Sequence, residues 1–196
     1  MTALDELFQQ LTRSDDSLSE KTAQDIISLY ALQPDEVLQG VDLLLNNSLA
    51  DARWWALRIL AEIPGEQAFS RLLAGLQDKE AEVRQCAALG LREHAHARAL
   101  PALIAALEDG DNLVIQLARD ALVAIGKDAT PALLELLEHG AQPVRLQAVR
   151  ALAMIGDERA IPALFNQLDG NSCWMEYWAS SGLERMGIGM SFFLPE

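Results

Sequence analysis

The chain has 196 residues, 51% of them hydrophobic and 22% charged, with 15 Lys and Arg against 29 Asp and Glu for a net charge of −14. This length predicts one domain, and so much apolar content excludes wholesale disorder, because the chain can bury enough surface to offset its entropy. The acidic balance excludes a non-specific grip on nucleic acid, which needs clustered cations, and it disfavours an anionic membrane surface.

No run reaches the ~20 apolar residues of a membrane span, and the opening MTALDELFQQ is acidic where a signal peptide is basic. A cytoplasmic protein is expected. Two cysteines, Cys86 and Cys173, cannot make a disulfide framework. The first 47 residues predict three helices, about 3–12, 20–32 and 35–46, from their start signals. Thr2 with Asp5 has the form of a capping box, Ser19 to Thr22 marks the second start, and Pro34 opens the third. The segment holds nine acidic residues against Arg13 and Lys21, half of the whole net charge. It is assigned as a degenerate N-terminal helical cap, with its last two helices as an imperfect repeat.

A regular repeat then begins. ARWWALRILAEIP, VRQCAALGLREHA, VIQLARDALVAIG, VRLQAVRALAMIG and MEYWASSGLERMG align with Arg53, Arg84, Ile115, Arg145 and Glu176 as register marks, about 31 residues apart. A second block follows each of the first four: AFSRLLAGLQ, ALPALIAALE, ATPALLELLE and AIPALFNQLD. In the first blocks Val144, Ala148, Ala151, Leu152 and Ile155 make one apolar face at the helical period. Gly126, Gly156 and Gly187 stand just past the last apolar position, where a left-handed residue closes a helix at least cost as glycine. Thr130 before Pro131 reads as an N-cap followed by a first-turn proline. No segment alternates with period two for long enough to make a strand. The expected fold is all-α, a right-handed α-solenoid of stacked antiparallel helix pairs. One continuous domain is predicted, with the cap at 1–47, repeats at 48–187 and an apolar tail at 188–196. Leu91, Leu122, Leu152 and Leu183 share one repeat position and should be buried, as should Leu103, Leu133 and Leu164.

VRLQAVRALAMIGDERAIPAL, at 144–164, resembles the HEAT-like repeat of the phycobilisome (PBS) lyase type. The resemblance spans roughly 48–187 and marks the repeat rather than any one protein. It implies a family that includes bilin lyase subunits, phycobilisome-degradation factors and adaptors.

Chemistry is sparse in this pattern. His94 and His96 are two residues apart near a helix end, a spacing that does not put two ligands on one helical face, so no metal site is assigned. One Glu93-His94 pair, in reversed order, does not meet the several His-Glu pairs of the HEAT-like di-iron hydroxylases. There is no phosphate-binding glycine motif. Cys86 occupies a packed helix position held by Trp55, Leu117, Gln147 and Trp178 in the other copies. The second helices should line the concave face, where Arg71, Ala102, Ala132 and Ala163 in one register and Gly75, Ala106, Leu136 and Gln167 in another leave it bland. No catalytic residue and no cofactor are assigned.

The aromatic residues carry more information. Trp54 and Trp55 stand at the repeat positions of Tyr177 and Trp178, and the three intervening copies lack aromatics there. These rings are either end caps of the solenoid or an exposed patch for a partner. The tail adds Met190, Phe192, Phe193 and Leu194 to Trp174 and Tyr177, an apolar group that needs cover. The candidate partner-binding residues are therefore Trp174, Tyr177, Met190, Phe192, Phe193, Leu194, Trp54 and Trp55. The expected function is a non-enzymatic protein–protein interaction scaffold or adaptor, its acidic N-terminal end favouring a partner with a basic patch. The alternative is an accessory or subunit of a bilin lyase, handling an open-chain tetrapyrrole (bilin) and a phycobiliprotein.

Overall fold

The computed structural model describes residues 3–11, 16–169 and 172–188, and those residues contain twelve α-helices, three short 3-10 turns and no strand. They form two compact units, Met1–His94 and Ala95–Glu196. The first unit contains α1 (Ala3–Leu11), α2 (Asp16–Leu29), α3 (Pro34–Leu45), α4 (Ala50–Leu60), α5 (Glu66–Gly75) and α6 (Ala81–Glu93). The second contains α7 (Leu100–Ala106), α8 (Asn112–Ile125), α9 (Thr130–His139), α10 (Gln142–Ile155), α11 (Ile161–Leu168) and α12 (Cys173–Arg185).

The repeat register decides what is buried. Three residues past the mark stand Ala56, Ala87, Ala118, Ala148 and Ala179, all completely covered. Seven past it stand Leu60, Leu91, Leu122, Leu152 and Leu183, and the second helices bury Leu72, Leu103, Leu133 and Leu164. The small residue lets first helices approach, and the leucine then fills the space behind it at near-crystalline density. In the first unit α4 packs on α6, and in the second α8 packs on α10 and α10 on α12. The last of these approaches is tight enough to require glycine. A Cβ on Gly182 of α12 would lie 2.8 Å from the Ala153 Cα of α10. Of the C-terminal glycines, Gly156 adopts the expected left-handed conformation with φ 67° and ψ 35°, whereas Gly126 combines a positive φ of 75° with an extended ψ of −139°.

Two helix starts differ from expectation. α2 begins at Asp16, ahead of Ser19, and the buried Ser19 hydroxyl instead donates to the Leu11 carbonyl at 3.0 Å. Ser19 thus satisfies an orphan acceptor at the end of α1 rather than an orphan donor at the start of α2. Thr130 is the first residue of α9 rather than its cap, because the 3-10 turn Gly126–Ala129 runs straight into the helix and the Thr130 N–H donates to the Lys127 carbonyl.

One ion pair ties the loops of the first unit together. Arg53 is 7% exposed, and its Nε and Nη2 grip the two Asp78 carboxylate oxygens at 2.6 and 2.9 Å. Its Nη1 donates to the Asn47 and Ser48 carbonyls at 3.0 and 3.1 Å. The Arg53 hydrogen bond holds the Asp78 carboxyl below the usual carboxylate range, against a burial effect of opposite sign.

Candidate partner-binding surface

The expected partner-binding residues fall into three groups. Trp54 and Trp55, on α4, meet edge to face with centroids 4.9 Å apart. Trp55 is buried and Trp54 half-buried, so this pair presents little surface and packs mainly within its unit. Met190, Phe192, Phe193 and Leu194 lie outside the described residues. Trp174 and Tyr177, on α12, are 63% and 58% exposed.

Their exposure follows from helical geometry. Met175, Ala179 and Leu183 face the core from α12, and positions 174 and 177, three apart, share the opposite stripe. The Trp174 and Tyr177 rings meet edge to face at 6.5 Å and 84°, and Tyr177 meets Trp178 at 5.4 Å and 81°. The guanidinium of Arg150, on α10, lies 4.8 Å from the centre of the Trp178 ring. Burial, then the neighbouring Arg119 charge, holds Arg150 below the usual arginine range. The negative ring face offsets part of that desolvation. Arg119 is itself held by Asp120 at 2.8 Å and by the Gln147 side chain at 3.2 Å. A continuous row of three rings ending in a cation therefore runs from exposed to half-buried across α12 and α10.

Beside Tyr177 a shallow cavity of about 440 Å³ is walled by Glu176, Ser180, Ser181 and Glu184. Two carboxylates and two hydroxyls next to two flat exposed rings can receive a cationic or aromatic group by cation–π, stacking and charge-assisted hydrogen bonds. Arg150 and Trp178 were not among the expected residues. Their signal is positional: five past the mark on one first helix meets two past the mark on the next, as the Arg58 charge acting on Cys86 shows in the first unit.

The nucleophile and imidazole candidates have structural surroundings. Burial pushes the Cys86 thiol up to about 12, and its Sγ lies 3.7 Å from the Trp54 carbonyl oxygen, to which it donates. Cys173 is exposed. The His94 Nε2 donates to the Ala61 carbonyl at 3.0 Å, and the His96 Nδ1 accepts the Arg98 N–H at 3.1 Å, capping a 3-10 turn. His139 is exposed, 3.9 Å from Glu138. Among the described residues, no three His, Cys, Asp or Glu side chains cluster as metal ligands would, and no helix is long and apolar enough to cross a membrane.

Comparisons with solved structures agree on the fold. An archaeal HEAT-like repeats protein from Thermococcus onnurineus NA1 is 16% identical, with 100% of this chain and 84% of that one covered, at a TM-score of 0.63. The complex of CpcE and CpcF of phycocyanin lyase from Nostoc sp. PCC7120 matches at 24% identity, 95% and 78% coverage and a TM-score of 0.53. A designed armadillo repeat protein in complex with the peptide (KR)4 matches at 22% identity, 94% and 100% coverage and a TM-score of 0.53. These likenesses show an all-α fold of the repeat-solenoid class. No curated protein sequence matches significantly. Residues 39–123 and 120–183 match the family model for HEAT repeats, and the chain belongs to the HEAT-repeat family.

Proposed function

We propose that the protein is a non-enzymatic interaction scaffold or adaptor whose protein partner docks on the outer surface of α12, with Trp174 and Tyr177 as anchors. The observation that carries this reading is their exposure. Two large rings, each more than half exposed and locked edge to face, are costly in water and are the side chains that dominate interface hot spots. Met190, Phe192, Phe193 and Leu194, outside the described residues, stay candidates on sequence alone as apolar residues near α12 in the chain, and Trp54 and Trp55 belong to the packing of the first unit. Glu176 and Glu184 beside the rings, in a chain of net charge −14, favour a partner that brings basic side chains. Nucleic acid does not fit such a surface. Solved repeat proteins of this fold are seen holding a basic peptide or a second subunit, which supports a binding role for this one.

Affinity capture from the native host, with the wild type and the Trp174→Ala/Tyr177→Ala double variant as parallel baits, tests the reading. A protein retained by the wild type and lost from the equally folded variant supports it, and identical capture by both overturns the site. The second reading, a bilin lyase accessory of the PBS-lyase type, rests on the repeat pattern at 144–164 and the likeness to the Nostoc lyase complex. Titration with an open-chain tetrapyrrole separates the two: a lyase component changes the visible spectrum of the bilin, and an adaptor does not.

A further inference from the structure

We infer that the cavity walled by α9, α10 and α11 is a binding site for a carboxylate presented by a polypeptide, with Arg145 as its anchor. The argument begins in the repeat register. At the first mark, Arg53 uses its fork on Asp78, 25 residues further along the chain. The second copy repeats both residue types at the same interval, Arg84 and Asp109, and Arg84 also donates to the Asp78 and Lys79 carbonyls at 2.8 and 3.1 Å. The third copy has lost both: Ile115 stands at the mark, and neither Gly140, 25 residues on, nor His139, aligned by the second helix, is an acid. The fourth keeps the arginine and loses only the acid. Arg145 stands at the mark, and position 170, outside the described residues, is glycine and carries no side chain.

The structure shows the consequence. The Arg145 Nε is buried with no hydrogen-bond partner, and among the described residues no ion pair reaches this guanidinium. A buried N–H left without an acceptor is a standing cost that a ligand acceptor relieves. Arg145 also lines an open cavity of about 470 Å³, together with Leu134, Leu137, Ala163, Asn166 and Gln167. Those two amides are peculiar to this copy. The equivalent second-helix positions are Ala74 and Gly75, Ala105 and Ala106, and Glu135 and Leu136. Asn166, Gln167 and a guanidinium with an unpartnered Nε thus line one cavity in the one copy that has an arginine at the mark and no acid 25 residues on.

A carboxylate fits this set because its two oxygens match the guanidinium fork, leaving lone pairs for the amide N–H groups. Leu134, Leu137 and Ala163 in the lining suit the methylenes that carry an Asp or Glu carboxylate, or the last residue of a chain with a free C-terminus. Glu138 stands on the same wall with its side chain 76% exposed, so it repels an incoming carboxylate and tunes the affinity downward. The site lies on α9 to α11 and requires nothing of the α12 aromatics, so either assignment can fail alone.

The test uses the full chain labelled with 15N, following the Nε–Hε signal of Arg145, assigned by its loss in Arg145→Lys. Three probes are titrated at matched ionic strength: acetyl-Ala-Glu-Ala-amide, acetyl-Ala-Ala-Ala with a free C-terminus, and acetyl-Ala-Gln-Ala-amide. A saturable shift with the first probe assigns a side-chain carboxylate, with the second a chain terminus, and the neutral third should give none. In Arg145→Lys, which keeps the charge and removes the fork, binding of the active probe followed on the Asn166 and Gln167 amide signals should weaken at least about tenfold. Glu138→Gln should tighten it. No saturable shift with either carboxylate, or the same shift with all three probes, overturns the proposal. So does Arg145→Lys that lowers the melting temperature while leaving probe affinity unchanged, which would make Arg145 a purely structural residue.

Discussion

At the scale of single residues, burial decides which thiol can react. Cys86 is packed and its thiol is pushed up to about 12, so almost none of it is thiolate at pH 8. Cys173 lies open to solvent on the first turn of α12. A maleimide added to the native protein at pH 7.5 should therefore modify one cysteine quickly, identified by peptide mapping as Cys173, and Cys86 only after denaturation. Charge pairs make a second prediction. Asp78 is held below its ordinary value by Arg53, so the pair contributes its full stability above the unfolded carboxylate value of about 3.9 and loses it as pH falls through the depressed folded value. Urea denaturation should show Asp78→Asn clearly less stable than the wild type at pH 7, with the gap narrowing as pH falls below about 4. The pairs of Asp42 with Arg71 and Glu62 with Arg58 shift in the same direction, but their greater exposure leaves them more screened by solvent. Repeat position foretold the packed Cys86, because three of the four equivalent positions in other copies hold Trp or Leu. It did not foretell that Trp55 is buried while Trp174 is bare, since the same ring type serves either end and only the neighbouring helices decide what covers it.

At the scale of elements, the apolar period made the first and second helices of each repeat legible, down to the leucines that face inward. The caps were less so. Ser19 is a good N-cap residue by type, yet its hydroxyl turns back to the Leu11 carbonyl, a partner set by how α1 folds against α2. Local signals of this kind state a preference that tertiary contacts override. Close approach is the element-scale feature most open to test. Gly182 sits where a Cβ would lie 2.8 Å from both the Cα and the Cβ of Ala153, and backbone cannot yield as a flexible side chain would. Gly182→Ala would normally help a helix, by about 1 kcal/mol. Here overpacking should reverse the sign and destabilise the protein by roughly 1–3 kcal/mol, read as a lower midpoint in thermal or denaturant melts. A stabilised variant would mean that α10 and α12 are further apart than described.

At the scale of the whole molecule, the chain is an acidic HEAT-repeat protein whose exposed aromatic residues on α12 stand apart from a largely regular repeat pattern. The repeat was plain in the sequence because it is written in spacing. The site was only half plain, because exposure and the pairing of Arg150 with Trp178 arise between helices about 30 residues apart in the chain. The claim that α12 anchors a protein partner is tested most directly by calorimetric titration of the purified partner from affinity capture. The titrants are the wild type, Trp174→Ala/Tyr177→Ala, and Leu32→Ala, which removes a side chain 78% exposed in the other unit. Rings acting as a hot spot contribute at least about 2 kcal/mol, so the double variant should bind at least about 30-fold more weakly, with its melting temperature nearly unchanged and Leu32→Ala indistinguishable from wild type. Equal dissociation constants for the wild type and the folded double variant would contradict the account.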